Sequence, residues 1–195
     1  MSGRTDAGSR TPVQPARSPA QWRYGTPAIV LHWVLAALIA FMAGLGWYMM
    51  TVEHEPGGQQ WIELHKSVGL VVALLVLLRV LWRLGHRPAP LPAGTPHWQE
   101  RLARVTHWLL YAGMIVLPVT GILGSSYQRA GLVFFGYALP RWVAADRATA
   151  HLFFEIHETI VWVVVVLVVL HVAAALKHLV VDRDEVFGRM WGRSR

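Results

Sequence analysis

Four long apolar stretches run through this chain, and polar residues collect between them. They extend from about Pro27 to Met49, Ile62 to Leu84, Leu102 to Leu123 and Phe153 to Leu176. At ~1.5 Å per residue, each is long enough to cross ~30 Å of bilayer hydrocarbon as a helix. The pattern predicts an all-α integral membrane protein, a four-transmembrane-helix bundle. The segments between are built differently. Glu53 to Gln60 is an acidic turn around Pro56-Gly57-Gly58. Arg87 to Pro96 is rich in proline and cannot be helical throughout. From Gly124 to Thr149 runs a connector whose Leu132-Val133-Phe134-Phe135-Gly136-Tyr137 is too short to cross, so it is expected at the interface.

The ends extend the picture. Residues 1–23 are rich in Ser, Arg, Pro, Gly and Thr without apolar period and predict a disordered tail. They do not read as a signal peptide, because the first apolar run starts late, is too long and lacks an A-x-A site. The membrane domain is placed at 24–190, with a basic tail over 191–195. Only 15% of the 195 residues are charged while 54% are hydrophobic, which again favours lipid over water. The net charge of +7 raises nucleic acid as a partner. The basic residues sit between apolar runs, not on one polar face, so nucleic acid is set aside. Cysteine is absent, which removes disulfides, thiol catalysis, cysteine-ligated clusters and covalent haem attachment. Histidine is left as the ligand for a metal.

Lysine and arginine counts orient the spans. Fourteen of the eighteen lie in the N-terminal tail, around the loop between spans two and three, or at the C-terminal end. The other side holds Lys66, Arg129, Arg141 and Arg147. Both termini are therefore expected in the cytoplasm, which an even number of spans allows.

With that threading, histidines fall into levels. His157 and His171 share span four, roughly 21 Å apart and within about 40° of one face. His32 of span one comes level with His171 near the inner surface, and His65 of span two with His157 near the outer one. Facing imidazoles at one level suit a haem iron that takes two axial histidines and shuttles electrons. Zinc fits less well, since it gathers four ligands at one point. Gly69, one turn after His65, leaves room for a haem face. Arg79 lies on the face of His65 but at the inner level, where it pairs with a haem propionate or snorkels, with Arg83 one turn on. Lys66 either snorkels or lies beside the outer haem. His107 is left over, as a donor behind a ligand or a polar helix contact. His54, His86, His97 and His151 fall in loops or at helix ends. His178, two turns after His171, is either an interfacial histidine or a proton-handling group at a quinone pocket.

Several motifs together resemble the bacterial cytochrome b561 family, and within it the superoxide oxidase (superoxide:ubiquinone oxidoreductase) type. They are Ile29-Val30-Leu31-His32-Trp33, His65-Lys66-Ser67-Val68-Gly69 with Arg79, and His107 with Leu110-Tyr111 leading to Pro118. Span four adds His157-Glu158-Thr159, Leu170-His171, Lys177-His178 and Asp182-Arg183-Asp184. The resemblance covers about Arg23 to Met190. It implies two haem b groups, one on His32 and His171, the other on His65 and His157. It also implies an inner-membrane electron carrier between superoxide or a periplasmic redox protein and ubiquinone, with His178 at the quinone site. Lys66, Arg129, Arg141 and Arg147 supply positive potential for an anionic donor. Two other readings stay open. One is a haem b membrane-anchor subunit that passes electrons between a partner dehydrogenase and quinone. The other is a haem-free transporter whose histidines relay protons.

Overall fold

The computed structural model describes residues 24–86, 95–184 and 186–191. The expected disordered tail over 1–23, most of the Pro-rich connector, and residues 192–195 of the basic tail lie outside the described residues.

Four helices carry the described chain: α1 Thr26–Val52, α2 Gly58–Gly85, α3 His97–Tyr127 and α4 Arg147–Lys177. All four are long and apolar enough to span a membrane. Each runs past the stretch its apolar residues outline. A helix of 31 residues, such as α3 or α4, is roughly 46 Å long and outreaches the hydrocarbon. Backbone hydrogen bonding continues into the polar flanks even where hydropathy stops.

The turn between α1 and α2 depends on glycine. Gly57 has φ +86°, and a Cβ on Gly58 would stand 1.9 Å from the Val52 carbonyl oxygen. The connector after α3 is more ordered than its composition suggests. Its apolar stretch forms a two-stranded antiparallel hairpin, β1 Val133–Phe134 and β2 Tyr137–Ala138, with Phe134 opposite Tyr137. Phe135 and Gly136 both have positive φ, 46° and 86°, as a tight two-residue hairpin turn requires. Ser67 anchors the hairpin to α2: Phe135 N donates to its hydroxyl at 2.9 Å, and that hydroxyl donates to Glu63 O at 2.7 Å.

Asp146 then caps α4. Its carboxylate accepts from Ala148 N at 3.2 Å and from the Thr149 hydroxyl. The Thr149 hydroxyl first, and then the Ala148 amide, hold this carboxyl below the usual range.

α1 packs on α2, α2 on α3, and α3 on α4. The closest approach is at Gly113 of α3, where a Cβ would fall 2.5 Å from Val164 Cγ2. Among the described residues the buried apolar side chains are few: Leu35, Leu45, Val76, Ala150 and Val164. Leu74, Leu77, Leu78 and Leu81 of α2 face outward, as do Val163, Val166 and Val169 of α4. Apolar surface outside and little inside is the arrangement that lipid rewards.

After α4 the chain widens into a π-helical turn, His178–Asp182, and reverses at Arg183, φ 50°. The short helix α5, Gly188–Trp191, then returns to the start of α1. There Trp33 Nε1 donates to Met190 O at 2.7 Å, and the Trp33 and Trp191 rings meet edge to face. The described N- and C-terminal segments therefore lie at one end of the bundle, and the β hairpin lies at the other.

Candidate functional site

Two pairs of imidazoles face each other inside the bundle, one toward each end. At the hairpin end, the rings of His65 on α2 and His157 on α4 have centres 6.4 Å apart and planes at 79°. At the terminal end, His32 on α1 and His171 on α4 are 6.2 Å apart with planes at 68°. Two imidazoles that share one metal through bonds of about 2 Å place their ring centres roughly 6 Å apart. Both pairs have that separation, so the donor set fits an axially ligated haem iron at each level.

The hairpin-end pair is seated on glycines. A Cβ on Gly46 of α1 would lie 3.3 Å from His65 Cε1, and one on Gly121 of α3 would lie 3.2 Å from His157 Cε1. His157 Nδ1 donates to Leu117 O at 2.9 Å, with Thr120 Oγ1 3.2 Å away. Leu117, Thr120 and Gly121 follow the i, i+3, i+4 rule of one helix face, so α3 offers a ready seat. Fixing the proton on Nδ1 leaves Nε2 as the nitrogen with a free lone pair, the one a metal would need. His65 Nδ1 is buried and has no hydrogen-bond partner among the described residues. An unmatched buried polar atom costs about 1–3 kcal/mol, so this ring is held for a group beyond the chain. At Gly69, one turn after His65, a Cβ would reach only the Met42 terminal methyl, at 3.6 Å, an ordinary contact. Gly46, Thr120 and Gly121 have no counterpart among the site residues read from sequence. Their role depends on which helix faces which.

At the terminal end Arg79 reaches across from α2. It donates to Ala28 O at 3.2 Å, and its second nitrogen stands 3.3 Å from His32 Nδ1. Arg79 thus lies at the level of His32, not of its own helix neighbour His65. His107 joins this level. Its Nδ1 donates to Ala103 O at 2.6 Å, and its ring centre is 5.4 Å from that of His171. Three imidazoles therefore meet at the terminal end. Of the two that face His171, His32 stands at the separation a shared metal needs, and His107 stands closer.

The Lys66 ammonium donates to Gln128 Oε1 at 2.8 Å, at the end of α3. Arg141 donates to the carbonyls of Arg129 and Gln128 at 2.7 and 3.0 Å. Three of the four basic residues assigned to this side converge around Gln128. Of the histidines placed at loops and ends, His54, His97 and His151 have exposed side chains, and His86 stacks on Trp82. His178 sits in the π-helical turn, with Nδ1 2.7 Å from Asp184 Oδ2 and 3.3 Å from Asp182 Oδ2.

Comparison with known proteins places this architecture. Residues 23–193 match the family described as prokaryotic cytochrome b561. The chain is 35% identical over 176 residues to cytochrome b561 homolog 2 of Escherichia coli K12, covering 88% of this chain and 93% of that protein. It is 26% identical over 180 residues to cytochrome b561 homolog 1 of the same strain, covering 89% and 99%. It is also 26% identical over 176 residues to a Yersinia pestis protein named "Probable superoxide oxidase CybB", covering 89% and 98%. With a family match over most of its length and four apolar helices, the chain belongs to the prokaryotic cytochrome b561 family, haem b proteins that transfer electrons in membranes.

Proposed function

We propose that the protein is a di-haem cytochrome of the bacterial inner membrane, carrying electrons from a donor at the hairpin end to ubiquinone at the terminal end. His65 and His157 hold one haem b, and His32 and His171 hold the other. The observation that carries this reading is the pair of ring separations, 6.4 and 6.2 Å, at two levels of one bundle. Haem iron held by two imidazoles supplies one-electron exchange without an open position for oxygen.

The chain's own residues do the rest. Leu117 and Thr120 hold the His157 tautomer, and Gly46 and Gly121 clear space beside the rings. Gly69 leaves the face one turn after His65 open. Arg79 brings a fixed positive charge to the terminal-end pair, suited to a haem propionate. His178 handles a proton at the quinone site. Lys66, Arg129 and Arg141 gather positive charge at the hairpin end, which supports superoxide, a small anion, as the donor. The termini face the cytoplasm, following the basic-residue asymmetry.

The test uses the purified full chain with haem bound. A superoxide-generating system is added with a short-chain ubiquinone analogue, and haem reduction and quinol formation are followed by absorbance. Fast reduction followed by quinol formation is expected. A protein inert to superoxide that is still reoxidised by quinone would transfer the donor role to a partner dehydrogenase. A colourless preparation would sink the haem reading outright.

A further inference from the structure

His178 belongs to neither imidazole pair, yet its ring is held more firmly than a surface histidine requires. The reversal at Arg183 brings Asp184 back over the π-helical turn, and its Oδ2 lies 2.7 Å from His178 Nδ1. The other oxygen of Asp184 accepts from Val186 N at 3.0 Å. The carboxylate is therefore fixed by backbone on one side and aimed at one ring nitrogen on the other. Asp182 also approaches, at 3.3 Å, but the Lys177 ammonium holds both of its oxygens. The histidine side chain is 20% exposed and both aspartates 29%. The turn packs on α4, whose nearest charge is Lys177. Arg183 donates to Val180 O, and the charge on α5 is Arg189, over the Tyr24 ring.

We propose that Asp184 is a positioning residue, which orients His178 for proton delivery to a quinone carbonyl oxygen. This rests on the quinone-side reading of His178 given above. A carboxylate only accepts, so Nδ1–H donates to it and Nε2 is left to face the ligand. Reduction of a quinone consumes two electrons and two protons, and each carbonyl oxygen becomes a hydroxyl. The electrons come from two turnovers of the one-electron donor, through the imidazole pairs. One proton comes from His178 Nε2–H, which is recharged from water at the membrane surface; the second comes from that water.

The experiment needs no particular physiological donor. The full, haem-loaded chain is reduced with dithionite, freed of excess, and mixed with a short-chain ubiquinone analogue. Haem reoxidation is followed by stopped flow across a range of pH. His178→Ala is expected to slow the step by about a hundredfold. Asp184→Asn is expected to slow it on the order of tenfold, because an amide can present either a donor or an acceptor to Nδ1 and no longer fixes the ring. Asp184→Glu restores most of the rate, and Asp182→Asn keeps the wild-type profile. Haem content and spectrum stay unchanged throughout. Should Asp184→Asn lose haem, Asp184→Ser replaces it with the same expected slowing, because a hydroxyl can cap Val186 N–H without the carboxylate. A wild-type rate without the Asp184 carboxylate, or slowing that Asp184→Glu does not relieve, would overturn the proposal. An unaffected His178→Ala would instead overturn the quinone-side reading beneath it.

Discussion

The four paired imidazoles in this bundle are met by atoms a few ångströms away on other helices. His157 rests on Leu117, Thr120 and Gly121. His65 rests on Gly46, and His32 lies against Arg79. These seats give the residue-scale prediction. Gly121→Val drives a side chain into the His157 ring, and is expected to remove the hairpin-end haem alone. His171→Ala should remove the other, so each variant loses roughly half of the reduced-minus-oxidised b-type absorbance. If His171→Ala retained all of it, the pairing would be wrong. The histidines could be picked out from spacing along α4 and from the apolar runs around them. The glycines could not, because their significance lies in what a missing Cβ leaves for a neighbour. His107 shows the same limit: spacing left it without a partner, and the fold brings it within 5.4 Å of His171.

Elements meet at a small number of tight points. α3 and α4 close on each other where Gly113 admits Val164, and any Cβ there would be 2.5 Å from Cγ2. Gly113→Ala is expected to destabilise the bundle by about 1–3 kcal/mol through overpacking. Adding Val164→Ala should recover part of that loss, as contacting sites are non-additive. Thermal loss of the haem band in detergent measures both; additive losses would mean that the two helices do not touch there. The hairpin illustrates an element that hydropathy misdescribes. A six-residue apolar stretch reads as an interfacial patch, yet Phe135-Gly136 turns it back on itself, and Ser67, 68 residues before Phe135 in sequence, fixes it. Helix lengths differ for a related reason. Apolar content marks where lipid is, while α1 to α4 run on into their polar flanks, where backbone hydrogen bonding does not depend on hydropathy.

The whole molecule is an inside-out protein: its few buried apolar residues lie between helices whose leucines and valines face outward. Its two ends differ chemically. The terminal end carries Arg79, three imidazoles and the His178 carboxylate pair, and the hairpin end carries Lys66, Arg129 and Arg141 around Gln128. Directional electron transfer requires such a difference between ends. The prediction at this scale concerns topology. Reporters active only in the cytoplasm, fused to either terminus, are expected to be active, and one inserted at Gly136 inactive. Activity at Gly136 would invert the molecule and exchange the donor and quinone sides.

The number of spans, the membrane environment, the family and the levels of the histidines along α4 follow from the chain alone. They depend on local quantities: apolar length against bilayer thickness, and rise and rotation per residue. Which imidazole faces which, the glycine seats behind them, Lys66 on Gln128, and the return of Asp184 onto His178 belong to the tertiary structure. Each joins positions on different helices or across a chain reversal. Such contacts are set by helix rotation, crossing and turn geometry, and no local pattern of residues encodes them.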